Sequence, residues 1–247
     1  MQIKNLNSWK WLDYNELEST NDEALRLSEN ENKLIVTSKV QTKGKGRLGR
    51  KWESFDGNLF MSILMTWSMN ENNALVFIIS VALQQTVKKI LPQANVKIKW
   101  PNDVLVNDKK ISGILIEVGE QGKVVIGIGV NIKKSPQGEN IIYPTTSLFE
   151  EGINIDRVDF MKNFISSFEE IKDVYLKKGM AEIIKIWQAE AKGIGEKIKI
   201  KLLNNEKIGV FKGIDNNGRL ILDISGNTEV FNAGDVFFLL ERKIKDE

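Results

Sequence analysis

The chain has 247 residues, 42% of them hydrophobic, enough to bury one substantial core or a larger domain with a small one. It contains no Cys and no His, which excludes disulfides, thiolate nucleophiles, Cys/His zinc sites and an imidazole base; any chemistry runs on Lys, Arg, Asp, Glu, Asn, backbone amides and an oxygen-held metal. With 35 basic and 33 acidic residues the net charge is only +2, the start lacks an apolar signal core, and no apolar run nears the roughly 18 residues of a membrane span, so a cytoplasmic protein with a local anion site is expected.

Trp11 to Leu17 reads as a short strand, and Ser19-Thr20-Asn21 leads into a helix with Thr20 and Glu23 spaced as a capping box. Leu34 to Val40 and Leu59 to Met65 read as strands bridged by a basic loop. Residues 71 to 91 carry apolar positions at helical spacing up to Pro92. Val96 to Lys99, Val104 to Val106, Ile111 to Val118 and Lys123 to Val130 then predict consecutive antiparallel strands, with turns at Asn107-Asp108 and Gly119 to Gly122. Asp156 to Lys177 and Met180 to Lys192 read as amphipathic helices that close a first domain, residues 1–192. From Gly193 the texture changes to short strands and Asn/Gly turns, a second domain over 193–247 that suggests a compact barrel of the Src-homology-3 kind leaning on its neighbour.

Residues 41 to 52, Gln-Thr-Lys-Gly-Lys-Gly-Arg-Leu-Gly-Arg-Lys-Trp, hold five cations, three glycines and no acidic residue. Gly44, Gly46 and Gly49 free the backbone to reach positive φ and approach a ligand, while Lys43, Lys45, Arg47, Arg50 and Lys51 supply charge for an anion such as phosphate. A solvated basic loop or a nucleic-acid contact would look the same. Gly44 to Gly49 also matches G-x-G-x-x-G, but no helix follows it and no acidic residue ends the next strand, and the kinase His-Arg-Asp and Asp-Phe-Gly segments are missing, so Rossmann and kinase readings fail on context.

Lys99-Trp100-Pro101-Asn102-Asp103 is good turn chemistry, yet it also offers a cation and two oxygen-bearing side chains together. Gly113, and then Gly127 and Gly129 on the next strand, would clear a flat apolar slot for a slim ligand.

Ser19-Thr20-Asn21, Gln41 with Gly44 to Trp52, Lys99 to Asp103, Lys110 to Glu117, Gly127 to Asn131, Tyr143 to Leu148 and Gly213-Ile214-Asp215 with Gly218 stand in the order and approximate spacing of the biotin protein ligases, which the chain resembles over nearly its whole length. The resemblance implies an α+β fold: a mixed, largely antiparallel sheet flanked by helices, similar to class II synthetases, plus a small C-terminal SH3-like β-barrel. It implies biotin and ATP as substrates with Mg²⁺, biotinyl-AMP as intermediate, and a lysine of a biotin carboxyl carrier protein as acceptor. By similarity, Lys110, Arg47 and Asp103 carry the catalysis. Ser19, Thr20, Asn21, Gln41, Gly44, Lys45, Gly46, Arg47, Lys110, Gly113, Gly127 and Gly129 meet biotin; Arg47, Arg50, Lys51, Trp52, Lys99, Asn102, Lys110 and Asn131 meet the nucleotide; Asp103 is the expected metal ligand.

Repressor members of that family carry a DNA-binding module before the Ser-Thr-Asn block, and residues 1 to 18 cannot form one, so a ligase without DNA binding is expected, as monomer or homodimer. The arginine that some relatives bring to the nucleotide is missing from Gly234-Asp235-Val236-Phe237-Phe238-Leu239, with Arg242 the nearest candidate. A lipoate ligase of the same fold and a nucleic-acid-binding module are the competing readings.

Overall fold

The computed structural model describes residues 1–68, 72–138 and 141–239. Strands β1 (Gln2–Leu6) and β2 (Trp9–Leu17) form a hairpin, helix α1 (Thr20–Leu27) crosses to β3 (Lys33–Gln41), and β4 (Leu59–Thr66) follows the basic loop. Helix α2 (Asn72–Ile90) leads into β5 (Val96–Lys99), β6 (Asp103–Val106), β7 (Lys109–Val118) and β8 (Lys123–Val130), after which come α3 (Arg157–Lys178) and α4 (Met180–Glu190). Residue 71, the expected start of α2, lies outside the described residues.

These strands make one eight-stranded sheet in the order β1-β2-β3-β4-β8-β7-β6-β5. Strands β2 and β3 run parallel because α1 returns the chain to the same end of the sheet; the other neighbours are antiparallel. Between β6 and β7 the two-residue turn has φ of 48° at Asn107 and 63° at Asp108, positive at both positions as a hairpin with native twist demands.

Alternation along the strands divides the two faces of the sheet. Met61 and Ile63 of β4, Ile114 of β7 and Ile126, Ile128 and Val130 of β8 enter the main core with Phe77 and Ile78 of α2, Phe160, Phe164 and Phe168 of α3, and Trp187 of α4. On the opposite face, Leu34, Val36, Leu64 and Val125 form a smaller cluster with Ala24 of α1. Farther along that second face the chain places Ser62, Gly113, Gly127 and Gly129, and bulk disappears from it.

A second sheet comprises β9 (Lys197–Lys201), β10 (Glu206–Ile214), β11 (Leu220–Ile224), β12 (Asn227–Phe231) and β13 (Asp235–Phe238) in the order β12-β11-β10-β9-β13. Among the described residues its two end strands are not hydrogen-bonded to each other. Ile198, Ile200, Phe211, Leu220, Leu222 and Val236 continue the main core without a break. The buried Trp100 indole N–H donates to the Gly218 carbonyl at 3.0 Å, and Ile214 N–H donates to Gln188 Oε1 at 3.1 Å. Gly218 has φ of 76° with the Phe77 ring pressed against its Cα, so a side chain there would be both strained and crowded.

Two local expectations change. The N-cap of α1 is Ser19, whose Oγ accepts from Asp22 N–H, and Glu23 turns away to Tyr14 and Arg26, so no Thr20–Glu23 capping box forms. Strand β1 had no counterpart in the sequence reading, because an exposed edge strand carries little apolar alternation; Ile3 is 64% exposed.

The sheet is fastened to α3 by a buried polar cluster. Arg157 Nη2 and Thr37 Oγ1 each donate to Asp13 Oδ1 at 2.8 Å, and Trp11 Nε1 donates to Thr37 Oγ1 at 2.8 Å. Burial pushes the Asp13 carboxyl up, but the bonds from Arg157 and Thr37, with the charges of Arg157 and Lys4, outweigh it and leave the group below its ordinary value. A carboxyl lowered in the fold stabilises fully above its unfolded value, and that stabilisation is lost as pH falls through the folded value. Arg157→Met, which removes a charged hydrogen bond to Asp13, should cost about 2 kcal/mol at neutral pH by urea unfolding. Asp13→Asn should flatten the loss of stability between about pH 5 and 3; an acid limb parallel to the parent's would show that Asp13 does not carry it.

Candidate active site

The cleared face of β4, β7 and β8 is the floor of a cavity of about 360 Å³. Gly113 of β7 and Gly129 of β8 stand opposite each other in register, and Leu115 pairs with Gly127. Ser19, Thr20 and Asn21 form one wall, the loop from Gln41 to Trp52 the roof, and the Lys99–Asp103 turn with Lys110 the other wall. Ile141, Ile142, Tyr143 and Thr145 border the mouth, and Asp235, Val236 and Phe237 of β13 close the far end.

Every residue expected at a site lines this cavity except Gly44. Gly44 is buried beneath the roof, where an added Cβ would lie 2.5 Å from the Trp52 carbonyl oxygen, while Trp52 N–H donates to Gly44 O at 2.9 Å. The glycine is needed for this close approach of backbone to backbone. Positive φ occurs at Leu48 (57°) and Gly49 (72°), and not at Gly44 or Gly46 as the sequence suggested.

At one end the lining is neutral and polar. Gln41 Oε1 accepts from Thr20 N–H at 2.8 Å and from Thr20 Oγ1 at 3.1 Å. Ser62 Oγ lies 2.6 Å from Asn21 Oδ1, and Asn21 Nδ2 donates to Glu117 Oε2 at 2.5 Å. A Cβ on Gly127 would run into the Asn21 amide, so that glycine makes room for the amide. With Ser19 spent on the helix cap, Thr20 and Asn21 keep orientations fixed by neighbours.

At the other end the lining is charged. Asp103 Oδ1 is 2.7 Å from Lys110 Nζ, and its Oδ2 is 3.8 Å from Lys99 Nζ. Arg47 Nη1 donates to Asn102 Oδ1 at 2.9 Å, Asn102 Nδ2 donates to Ile114 O at 2.6 Å, and Arg50 Nη2 donates to Asp235 Oδ1 at 3.0 Å. Asn131 Nδ2 donates to Thr146 O at 3.0 Å, and Lys110 N–H to Pro144 O at 2.7 Å, which seats residues 144 to 146 beside β7. Burial draws Lys99 down to about 8 despite the Asp103 charge, and burial also lowers Arg47 against the pull of Asp235 and Asp103. Burial, with Asp108 and Asp103 adding, pushes Tyr143 up to about 12.

Between the two ends lies Trp52. Its ring covers Gly113 and Gly129, leaves no space for a Cβ on either, and has Lys110 Nζ 5.4 Å from its centre. The indole N–H is buried without a hydrogen-bond partner among the described residues.

A magnesium ion does not fit these residues as a protein-held metal. Among the described residues no group of three acidic side chains gathers, and Asp103 is already faced by two ammonium groups, so a divalent cation there would meet like charge. Arg242 lies outside the described residues. Asp235 and Phe237 reach the cavity from far along the chain, and no local pattern announced them.

Known proteins share this fold. Residues 14–132 match the family model described as Biotin/lipoate A/B protein ligase family, and residues 193–239 match that described as Biotin protein ligase C terminal domain. The chain belongs to the biotin protein ligase family, as its relatives make plain. It is 33% identical to the biotin–[acetyl-CoA-carboxylase] ligase of Paracoccus denitrificans over 90% of this chain and 97% of that one. It is 29% identical to the bifunctional ligase/repressor BirA of Escherichia coli K12 over 89% of this chain and 71% of that one. The solved biotin protein ligase of Aquifex aeolicus in complex with biotin and ATP superposes with a TM-score of 0.79 at 26% identity, covering 94% of this chain and 99% of that one.

If the glycine floor exists to seat Trp52, Gly129→Ala must displace the ring. The expected result is a shifted tryptophan emission and a loss of about 1–3 kcal/mol in stability. Unchanged emission with full stability would mean that the ring is free to sit elsewhere.

Proposed function

We propose that this chain activates biotin with ATP, releasing pyrophosphate to give biotinyl-5'-AMP, and transfers the biotinyl group to a lysine of a biotin carboxyl carrier protein with release of AMP. The observation that carries this reading is the division of one cavity into a neutral polar end at Thr20, Asn21 and Gln41 and a cationic end at Arg47, Lys99 and Lys110. A ureido ring offers N–H donors and a carbonyl that amide and hydroxyl groups can match, and the valeryl chain would run between the two ends alongside the Trp52 ring that lies on the glycine floor. The carboxylate then arrives among the cations that neutralise it.

In the first step a biotin carboxylate oxygen attacks the α-phosphorus and the bond to pyrophosphate breaks. Both reactants are anionic, so the residues lower the barrier chiefly by holding charge in place: Lys110 between the carboxylate and the α-phosphate, Lys99 on the phosphates, and Arg47 over the adenylate. Arg50 and Lys51 add to the field, Trp52 offers a face to adenine, and Asn102 and Asn131 order the wall around the ribose. Any magnesium would have to come with ATP, since these residues do not fit it as a protein-held metal. In the second step the acceptor lysine attacks the acyl carbon; with no His in the chain, Asp103 orients that amine and eases loss of its proton. Neither step requires a covalent enzyme intermediate.

The competing readings have less support. Arg47 and Arg50 point inward to Asn102 and Asp235, which removes the loop's strongest phosphate-binding groups from a nucleic-acid surface. The relatives are named for biotin, which does not favour lipoate. The same reading divides labour between residues 1–192 and 193–247 and has the protein act, as monomer or homodimer, in the cytoplasm where ATP is at hand.

Biotin-dependent exchange of labelled pyrophosphate into ATP tests the first step, with lipoate run in parallel; exchange with lipoate alone would replace the substrate. Lys110→Ala should lower the exchange rate by about 10². Arg47→Gly should retain part of the exchange yet release adenylate that labels lysines of bystander proteins, and undiminished acceptor specificity would mean that Arg47 does not retain the intermediate.

A further inference from the structure

We propose that Tyr143 and Phe237 are positioning residues that hold Lys99 beside Lys110 as a second anion-binding ammonium, so that strand β13 completes the nucleotide end of the cavity. The inference rests on the ligase reading for the identity of the anion, and on geometry for the rest.

Lys99 is an unusual cation. Its side chain is 8% exposed, its nearest carboxylate oxygen is 3.8 Å away, and among the described residues no oxygen accepts a hydrogen bond from its Nζ. Lys110, by contrast, is 2.7 Å from the same carboxylate. A buried ammonium with three N–H groups and no acceptor is costly unless something else stabilises it. That something is aromatic: Nζ stands 4.0 Å from the centre of the Tyr143 ring and 6.0 Å from that of Phe237. Rings stabilise the charge without occupying its donors, which leaves the N–H groups available to an incoming oxyanion.

The two rings are themselves well anchored. Tyr143 meets Phe238 edge-on at 6.4 Å, and the next residue, Pro144, accepts from Lys110 N–H, so the strap that carries the ring is tied to the other lysine. Phe237 sits in β13, which pairs with β9, and Asp235 of the same strand accepts from Arg50 of the roof. Burial brings Lys99 to about 8, and the charged groups acting on it are Asp103, Lys110, Asp235 and Arg50. Removing a ring withdraws stabilisation from the charged form, lowers that value further and loosens the ammonium.

The test uses the full chain and two readouts: ATP affinity by calorimetry, and the ATP and biotin dependence of pyrophosphate exchange. Tyr143→Leu should weaken ATP about tenfold while biotin affinity stays within about twofold, Tyr143→Phe should restore the parent value, and Phe237→Leu should weaken ATP about threefold. Adding Tyr143→Leu to Lys99→Gln should produce no further loss, since both act through one ammonium. The alkaline limb of ATP binding should move to lower pH in Tyr143→Leu, because the ammonium loses the ring that stabilises its charged form. Thermal melts on each variant separate misfolding from misplacement, and Phe237→Leu reports on the same cation from the other sheet. Unchanged ATP affinity in Tyr143→Leu, equal losses for biotin and ATP, or additive losses with Lys99→Gln would overturn the proposal. Absent biotin-dependent exchange in the parent, with ATP binding still lost on Tyr143→Leu, would instead remove the ligase reading and leave the positioning role standing.

Discussion

Gly113 and Gly129 stand face to face on β7 and β8, and the volume their missing side chains leave is what the rest of the site is arranged around. Trp52 lies in that volume and the 41–52 roof is pinned over it through Gly44. The polar and charged ends of the cavity are set apart by this floor and by the Trp52 ring that lies on it. The cost is small, since the same strands spend their alternate positions, Ile114, Ile126 and Ile128, on the main core. One face thus stabilises while the other carries the cavity and the Trp52 ring.

Electrostatics follow the same economy. A net charge of +2 gives no long-range pull on an anion, yet Lys45, Arg47, Arg50, Lys51, Lys99 and Lys110 all border one cavity. Their mutual repulsion is relieved by placing Asp103 between two lysines, Asp235 at Arg50 and Asp22 at Lys45. Aromatic faces do the remainder, Trp52 at Lys110 and Tyr143 at Lys99. The cations are therefore held in place before any substrate enters, which limits the reorganisation left for the reaction.

Much of this was legible in the residues. Strand and helix positions came from period and turn chemistry, and Asn107-Asp108 marked a hairpin that the backbone adopts. The loop, the Lys-Trp-Pro-Asn-Asp turn and the paired glycines pointed at one site because each is a local pattern. What was not legible is non-local. The parallel pairing of β2 with β3 depends on where α1 leads the chain; the choice of Ser19 over Thr20 as cap depends on Gln41 and Ser62 drawing Thr20 and Asn21 aside. The approach of Asp235 and Phe237 depends on how two sheets share a core. Gly44 was read for its backbone freedom, when the constraint is the Trp52 carbonyl lying against it.

The Trp100 indole, reaching from the Lys99–Asp103 turn to the Gly218 carbonyl, has a thermodynamic consequence. It is buried in the core that spans both sheets, between Lys99 on one side and the Asn102–Asp103 pair on the other. Two segments that look separable along the chain are thus one cooperative unit of folding, and opening the small sheet would withdraw a support from the lysine and carboxylate at the charged end. Substitutions around β11 or Gly218, remote from any substrate, would then register as changes in nucleotide handling before they register as loss of fold.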